Sequence, residues 1–186
     1  MKAPALCLAA ALILFSGHAE AGPWVIDYKK SKLGFAGRVG DTPFQGSFNS
    51  FEANVDFDPE HPEAGKITAT VYIATASTEN SERDGLLPQP DWFNTPKFPQ
   101  ATFTSTEITK TGENTYEAKG TLSLKGDAHP VTLPFTLTQK NGVWVAQGRT
   151  TLMRNTWHIG EGQWSRDETV RWAVDVTVDL VARPGV

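Results

Sequence analysis

The sequence predicts an all-β domain, an antiparallel barrel or sandwich, and three observations favour it. In residues 170–180 every second side chain is large and apolar, and those between are mostly polar. Because strand side chains alternate between two faces, this segment has one dry face and one largely wet face. Similar runs follow one another along the chain. Turn sequences separate them at spacings typical of barrels and sandwiches. In a barrel the dry faces point inward, toward side chains or a ligand.

The predicted strands are runs of alternating apolar and polar residues. Trp24 begins the first, and its alternation continues through Phe35 to Gly37. The second changes parity between Phe48 and Phe51, which is the effect of a β-bulge, and barrels use bulges to bend. The runs cover residues 24–37, 44–57, 67–73, 101–108, 116–124, 131–137, 143–152 and 170–180.

The turns between these runs are rich in glycine, proline, asparagine and aspartate. Residues 58–65 contain two prolines and a glycine, which interrupt any strand ladder. Shorter turn sequences occupy residues 112–114 and 126–127. Asn141-Gly142 is the strongest signal, because this dipeptide favours a two-residue hairpin.

Residues 78–87 lack alternation and predict a short helix. Thr78 is a suitable N-cap, and Glu79 and Glu82 favour a first helical turn. Prolines at positions 88 and 90 end the helix. We expect a loop to continue to Pro99, long enough to cover a barrel mouth as a lid.

Residues 1–21 have the composition of a secretory signal peptide. Lys2 precedes an apolar run, and the small-residue sequence Ala19-Glu20-Ala21 precedes Gly22. The run, about 13 residues, is too short to span ~30 Å of hydrocarbon. We therefore expect a signal peptide at 1–21, a single domain at 22–186 and a periplasmic location. Cys7 falls within the signal, so the mature chain has no thiol for disulfides, catalysis or metal binding.

The charge distribution argues against nucleic acid as a ligand. The net charge is −4, and the charges are scattered singly without a basic block. After the signal no apolar run is long enough to cross a membrane. The sequence therefore predicts one soluble domain, large enough to bury a core.

A series of motifs runs through the whole predicted domain. They are Trp24-Val25-Ile26-Asp27, Ser31, Phe35, Gly46-Ser47-Phe48, Phe57-Asp58-Pro59, Arg83-Asp84, Trp92-Phe93, residues 98–105, residues 120–124 and Pro130-Val131. In this order they resemble the YceI-like family of secreted, lipocalin-like, polyisoprenoid-binding proteins. The resemblance implies an antiparallel, lipocalin-like barrel of about eight strands around an apolar cavity for a polyisoprenoid tail. It also implies homodimers.

Two details refine this resemblance. Many members have a histidine where this chain has Lys30, so no ligand contact of that histidine is carried over. Asp91-Trp92-Phe93 and residues 159–164 resemble members found beside, or fused to, b-type cytochromes. That implies an isoprenoid quinone as the ligand, and a membrane surface or a b-type cytochrome as a contact.

The candidate ligand-binding residues are apolar side chains of the strands and aromatic side chains of the connections. Each buried methylene contributes roughly 0.8 kcal/mol, so a few isoprene units give useful affinity. The alternative for each strand residue is an ordinary place in the core. For the aromatic residues of the connections, which also include Trp164, the alternative is a cluster packed under a long loop. The candidates are Phe35, Phe48, Phe51, Ile73, Trp92, Phe93, Phe98, Phe103, Leu122, Met153, Trp157, Trp172 and Val174.

Head-group preference would come from polar residues near the mouth. The candidates are Arg83, Asp84, Arg149 and Arg154, and the alternative for them is a solvated face or a capping ion pair.

Catalytic and metal-binding patterns are weak in this sequence. His61, His129 and His158 are widely separated, without metal-ligand spacing. Asp56 and Asp58 lack the ordered acidic pattern of a calcium-binding EF-hand, and there is no Gly-x-Ser-x-Gly nucleophile motif. We expect no cofactor and no metal. Three hypotheses remain open: a polyisoprenoid carrier, a solidly packed partner of a membrane redox protein, and a lipid head-group enzyme using His158.

Overall fold

The computed structural model describes residues 22–185. The predicted signal peptide at residues 1–21 lies outside the described residues. Within them, eleven strands form one antiparallel sheet, accompanied by a short α-helix. The all-β prediction is therefore confirmed. No helix among residues 22–185 has the length and apolar composition needed to cross a membrane.

The elements are numbered along the chain. The strands are β1 (Gly22–Ile26), β2 (Lys32–Val39), β3 (Thr42–Phe48), β4 (Phe51–Asp56), β5 (Lys66–Tyr72), β6 (Ala76–Ser77), β7 (Gln100–Lys110), β8 (Thr115–Leu124), β9 (Asp127–Lys140), β10 (Val143–Met153) and β11 (Ala173–Gly185). The helix is α1 (Ser81–Leu86), and short 3₁₀ turns occupy Pro62–Ala64, Ile73–Thr75, Arg154–Trp157 and Gly162–Trp164.

The sheet closes into a barrel through two bent strands. β3 continues into β4 after a bend at Asn49 and Ser50, and β5 continues into β6 after the 3₁₀ turn at Ile73–Thr75. β3 pairs with β6, and β4 pairs with β5. When each bent pair is counted once and β1 is set aside, the ring has eight strands. The predicted lipocalin-like barrel of about eight strands is confirmed.

The bend between β3 and β4 causes the predicted change of parity. It is a break between two strands, held by backbone hydrogen bonds from Asn49 to Thr75 (3.2 Å) and from Tyr72 to Ser50 (3.1 Å). Phe48 and Phe51 consequently both line the barrel interior, although they are three residues apart.

The first predicted strand is in fact two strands, β1 and β2. Between them the backbone N–H groups of Lys30 and Ser31 both donate to the carbonyl of Asp27 at 3.0 Å, which forms a turn. The turn explains why the inward residues are even-numbered before it, such as Trp24, and odd-numbered after it, such as Leu33.

The last strand begins later than the alternation predicts, at Ala173 instead of Val170. The backbone N–H of Trp172 donates to Asp167 Oδ1 at 2.6 Å. The carbonyl of Val170 accepts from Arg154 Nη2 at 2.7 Å. Because these backbone groups already have side-chain partners, the continuous ladder starts only after them, and Val170 forms an isolated bridge with Val39.

The helix also starts later than predicted. α1 begins at Ser81, and its N-cap is Asn80, whose side chain accepts from the backbone N–H of Arg83 at 3.0 Å. The predicted cap, Thr78, instead donates to the carboxylate of Asp84. The predicted hairpin between β9 and β10 is confirmed: Asn141 and Gly142 have φ of +53° and +73°, the left-handed region that this turn requires.

The barrel interior is filled at one end, which we call the closed end. There Trp24 stacks on Trp144 at 5.7 Å and meets the edge of Phe57 at 6.0 Å between ring centroids. Ile108 and Ala118 retain no exposed surface. The packing at this end is therefore that of an ordinary protein core. Its buried residues are Val55, Phe57, Ile108, Tyr116, Ala118 and Leu137.

Candidate functional site

Beyond the closed end the barrel encloses a cavity of about 280 Å³, and its accessible wall consists of apolar atoms. Inward-pointing side chains such as Phe35, Phe103 and Val174 keep part of their surface accessible, because they face empty space. The volume is near the lower limit of pockets for small molecules, about 300 Å³. A wall of this kind has affinity for apolar groups and offers no polar partner.

The alternation of strand side chains produces this wall. On β11, Val174, Val176, Val178 and Leu180 all face the cavity, as their period of two predicts. The neighbouring strands contribute residues of matching parity.

Most of the candidate residues lie together on the cavity wall. Their contact with a ligand stays a prediction. The candidates on the wall are Phe35, Phe48, Phe51, Ile73, Trp92, Phe93, Phe103, Leu122, Trp157 and Val174.

Three candidates do not line the cavity. For Met153 and Trp172 the predicted place in the interior is wrong, and Phe98 lies in the predicted connection but not on the cavity wall. Met153 is the last residue of β10 and lies on the outer face with 43% of its surface exposed. Trp172 precedes β11, and its indole N–H donates to the carbonyl of Ser165 at 3.0 Å. Phe98 packs beside the left-handed turn at Gly126, where an added Cβ would lie 2.8 Å from its ring.

The sequence reasoning missed several wall residues. The alternation in the sequence could have identified them, because each has the same parity as the inward residues of its predicted strand. Leu87 is the exception, because it follows the helix. The missed residues include Leu33, Phe44, Leu87, Leu124, Val131, Leu133 and Leu152.

The lid, residues 87–98, covers the cavity end opposite the closed end, as predicted. Phe93 of the lid meets the edge of Phe48 with ring centroids 6.3 Å apart. Trp92 lies beside it and packs against Trp164 at 5.9 Å. Trp157 completes the cover, and its indole N–H donates to the carbonyl of Leu122 at 3.3 Å. Trp164 itself does not line the cavity, so it supports the lid from outside.

Helix α1, which leads into the lid, is anchored to the barrel through Asp84. Its carboxylate accepts hydrogen bonds from the backbone N–H of Thr78 (2.7 Å), the Thr78 hydroxyl (2.7 Å) and the Ser77 hydroxyl (3.0 Å). The hydrogen bonds from Thr78 lower the pKa of Asp84 from its ordinary value, against a smaller opposing effect of burial. Arg83 lies over the ring of Phe44 at 5.2 Å, outside the cavity.

We expect this anchor to weaken in acid. Because the pKa of Asp84 is lowered in the folded protein, its stabilising contribution is full above the unfolded value of about 3.9. It is lost as the pH falls through the folded-state pKa. The protection factors of the α1 amides, which correct the exchange rates for the intrinsic pH dependence of amide exchange, should therefore fall more steeply below about pH 4 in the wild type than in Asp84→Asn. Equal acid dependence in the two proteins would contradict this role.

Arg154 is the most deeply buried charge near the cavity, with 4% of its surface exposed. Its guanidinium lies 5.7 Å from the ring of Trp92. Burial lowers the pKa of Arg154, and the charge of Asp167 opposes that effect. Five hydrogen bonds of 2.5 to 3.2 Å bind its side-chain nitrogens to backbone carbonyls. The acceptors are Ile159, Gly160, Trp164, Val170 and Arg171.

These contacts give Arg154 a structural role. A guanidinium has five N–H donors, and the five carbonyls match that number. Arg154 therefore has no donor left for a ligand head group, and it holds the segment between β10 and β11 against the lid. Arg149 lies on the outer face of β10, where it pairs with Asp175 at 2.6 Å.

The histidines lie apart in the structure. His158 Nδ1 is 3.4 Å from Glu161, on a side chain that is 66% exposed. His129 meets the edge of Trp157 at 5.3 Å, and His61 lies near Glu63 on the surface. Within residues 22–185 no three histidine, cysteine or acidic side chains are grouped so that they could hold a metal ion.

The chain is similar to known proteins along nearly its whole described length. The family model of the YceI-like domain matches residues 24–182. A UPF0312 protein of Yersinia enterocolitica is 38% identical over 138 residues, which cover 72% of this chain and 71% of that protein.

Two solved structures share the fold. The crystal structure of Burkholderia cenocepacia BcnA has a TM-score of 0.82 and 30% identity, covering 84% of this chain and 99% of that one. A polyisoprenoid-binding domain from Saccharophagus degradans has a TM-score of 0.67 and 13% identity, covering 89% and 99%.

Proposed function

The chain belongs to the YceI-like domain family, and on that premise we propose that it binds and carries a polyisoprenoid lipid whose tail occupies the barrel cavity. The observation that carries the proposal is the apolar cavity between the closed end and the lid. The polyisoprenoid-binding domain from Saccharophagus degradans, which shares the fold, supports the class of ligand.

The energetics favour a tail of this kind. Burial of each methylene contributes roughly 0.8 kcal/mol, so a few isoprene units offset the entropy lost on association. The hydrophobic contribution has no direction, so the cavity selects for apolar length and not for a particular head group. A ligand that fills it would also restore the dispersion contacts that empty space leaves unmade.

The finer assignments are part of the same proposal. The signal sequence at residues 1–21 supports a periplasmic location, where a carrier would shield an insoluble tail from water. The resemblance of Asp91-Trp92-Phe93 to cytochrome-associated members supports an isoprenoid quinone as the ligand. It also supports a membrane surface or a b-type cytochrome as the partner that exchanges it, with a homodimer as the assembly.

We propose binding without catalysis. His158, the candidate for head-group chemistry, lies near Glu161 on the surface and does not line the cavity. The cavity wall offers no polar atom that could transfer a proton. Turnover of a lipid that disappears in His158→Ala, with binding retained, would overturn this assignment.

Native mass spectrometry of the purified protein tests the carrier function. We expect delipidated protein to bind one molecule of an isoprenoid quinone or polyprenol. It should not bind a water-soluble quinone that lacks the tail. The tail-free quinone is the control, because only the tail gains from burial. Repeated recovery of an empty barrel that takes up neither lipid would overturn the proposal.

A further inference from the structure

A second cavity, which we call the wall groove, lies on the outer side of the barrel at the bend between β3 and β4. Its volume is about 630 Å³. Unlike the interior cavity it has a largely polar wall, which includes Gln45, Ser47, Asn49, Ser50, Ser77 and Glu79. Leu33, Phe48 and Phe51 belong to the walls of both cavities. A single layer of three apolar side chains therefore separates a polar groove from the apolar interior.

The barrel wall is thin here because strand pairing is interrupted. The β2–β3 ladder ends at the pair Leu33 and Phe48. β4 pairs with β5 on one edge, and on the other edge the hydroxyl of Tyr28 accepts from the backbone N–H of Ala53 at 3.1 Å. No ladder among the described residues joins β4 to β2. A passage at this point would not require a β-ladder to break.

The groove offers exposed polar side chains that form at most one hydrogen bond within residues 22–185. The side chains of Gln45 and Ser50 form no hydrogen bond there, and Asn49 only accepts one, from the Ser47 hydroxyl at 3.3 Å. The two carboxamides and the hydroxyl can each donate and accept. They are suited to carbonyl and hydroxyl oxygens of a ligand.

The charges of the groove favour a neutral ligand. Lys32 and Glu79 both line it, and their formal charges cancel. No arginine belongs to its wall. A phosphate or diphosphate usually needs arginine side chains or several backbone N–H groups. Arg154, the buried cation near the interior, already donates to five carbonyls.

We propose that the wall groove binds the neutral, oxygen-bearing head group of the carried lipid, such as a quinone ring or an alcohol. The tail passes between Leu33, Phe48 and Phe51 into the interior. This inference rests on the proposed carrier function and adds the place and the chemistry of head-group selection. The lid then covers the end of the cavity.

Binding of three probes with similar tails tests the assignment: an isoprenoid quinone, a polyprenyl phosphate and an isoprenoid hydrocarbon without a head group. We expect the wild type to bind the quinone about tenfold more tightly than the hydrocarbon, since two hydrogen bonds contribute that much. We expect no such gain for the phosphate. The double variant Gln45→Ala with Asn49→Ala should lose the preference and bind the hydrocarbon unchanged.

A matched control removes two carboxamides elsewhere, again one asparagine and one glutamine. Asn54 and Gln139 are exposed and lie outside both cavities, so Asn54→Ala with Gln139→Ala should keep the preference for the quinone. If the groove variant keeps it as well, or if the wild type prefers the phosphate, the head-group assignment is overturned while the carrier function stands. If the wild type binds none of the probes, the carrier function itself is overturned.

A second measurement reports the place directly. Ser50→Cys introduces a thiol into the groove, and residues 22–185 contain no other cysteine. Bound polyprenol should slow its reaction with a maleimide at least severalfold, and the tail-only hydrocarbon should not. Equal protection by both probes, or by neither, would show that the head group lies elsewhere.

Discussion

Replacement of Arg154 by methionine should lower the free energy of unfolding by at least about 3 kcal/mol, because buried carbonyls that lose their donor each cost about 1–3 kcal/mol. Five carbonyls depend on this side chain. Methionine reaches about as far as the arginine Nε, so it keeps the packing of the side-chain stem and removes all five hydrogen bonds. The loss is a large share of a typical total stability of 5–15 kcal/mol.

Urea unfolding followed by tryptophan fluorescence measures this change. Arg149→Met is the matched control, because Arg149 is two-thirds exposed and pairs with one carboxylate at the surface. Its loss should cost no more than about 1 kcal/mol. If the two variants unfold at the same urea concentration, the five hydrogen bonds of Arg154 do not stabilise the fold as the geometry indicates.

Replacement of Val174 by tryptophan should abolish lipid binding and leave the fold intact. Val174 lies on the cavity wall, so a larger side chain can occupy free space instead of displacing neighbours. We expect lipid affinity to fall more than tenfold, since losing the burial of only two methylenes of the lipid tail costs about that much. Uptake by native mass spectrometry and unfolding by urea measure the two effects separately.

Two further tryptophans control this experiment. Ala173→Trp adds the same side chain to the outer face one residue earlier and should change neither property. Ile108→Trp adds it to the closed end, where Ile108 has no exposed surface and does not line the cavity, and should destabilise the fold by about 1–3 kcal/mol or more. If Val174→Trp behaves as Ile108→Trp does, the interior is not free. If it still binds lipid, the tail lies elsewhere.

The sequence predicted the barrel and most of its wall because alternation is a direct consequence of strand geometry. Val174 and Phe35 could be placed inward from their parity alone. Met153 follows the inward-facing Leu152 on β10, so parity places it on the outer face and argues against the interior. Trp172 could not be placed, because the pattern does not show where a strand begins. Trp172 continues the parity of β11, but its backbone is bound by Asp167.

Other features have no pattern in the sequence. The partners of Arg154 are carbonyls, which every residue carries, so its role depends on how residues 159–171 fold around it. Asn49 and Ser50 have the composition of a turn, and only the closed barrel shows that they lie beside a thin wall. The alternation of apolar and polar residues therefore predicted the class of fold, and the three-dimensional closure of the barrel was needed to place the proposed polar site.

The packed floor formed by Phe57, Ile108 and Tyr116 gives the barrel a fixed depth. Any chain molecule that enters must stop there, so a longer one has to double back or leave its remainder in contact with water. The depth of the cavity would thus limit the length of chain that can be buried, and this depth depends on the size of a few aromatic and aliphatic side chains. Substitutions that enlarge or shorten one of these side chains would change that length without altering any strand.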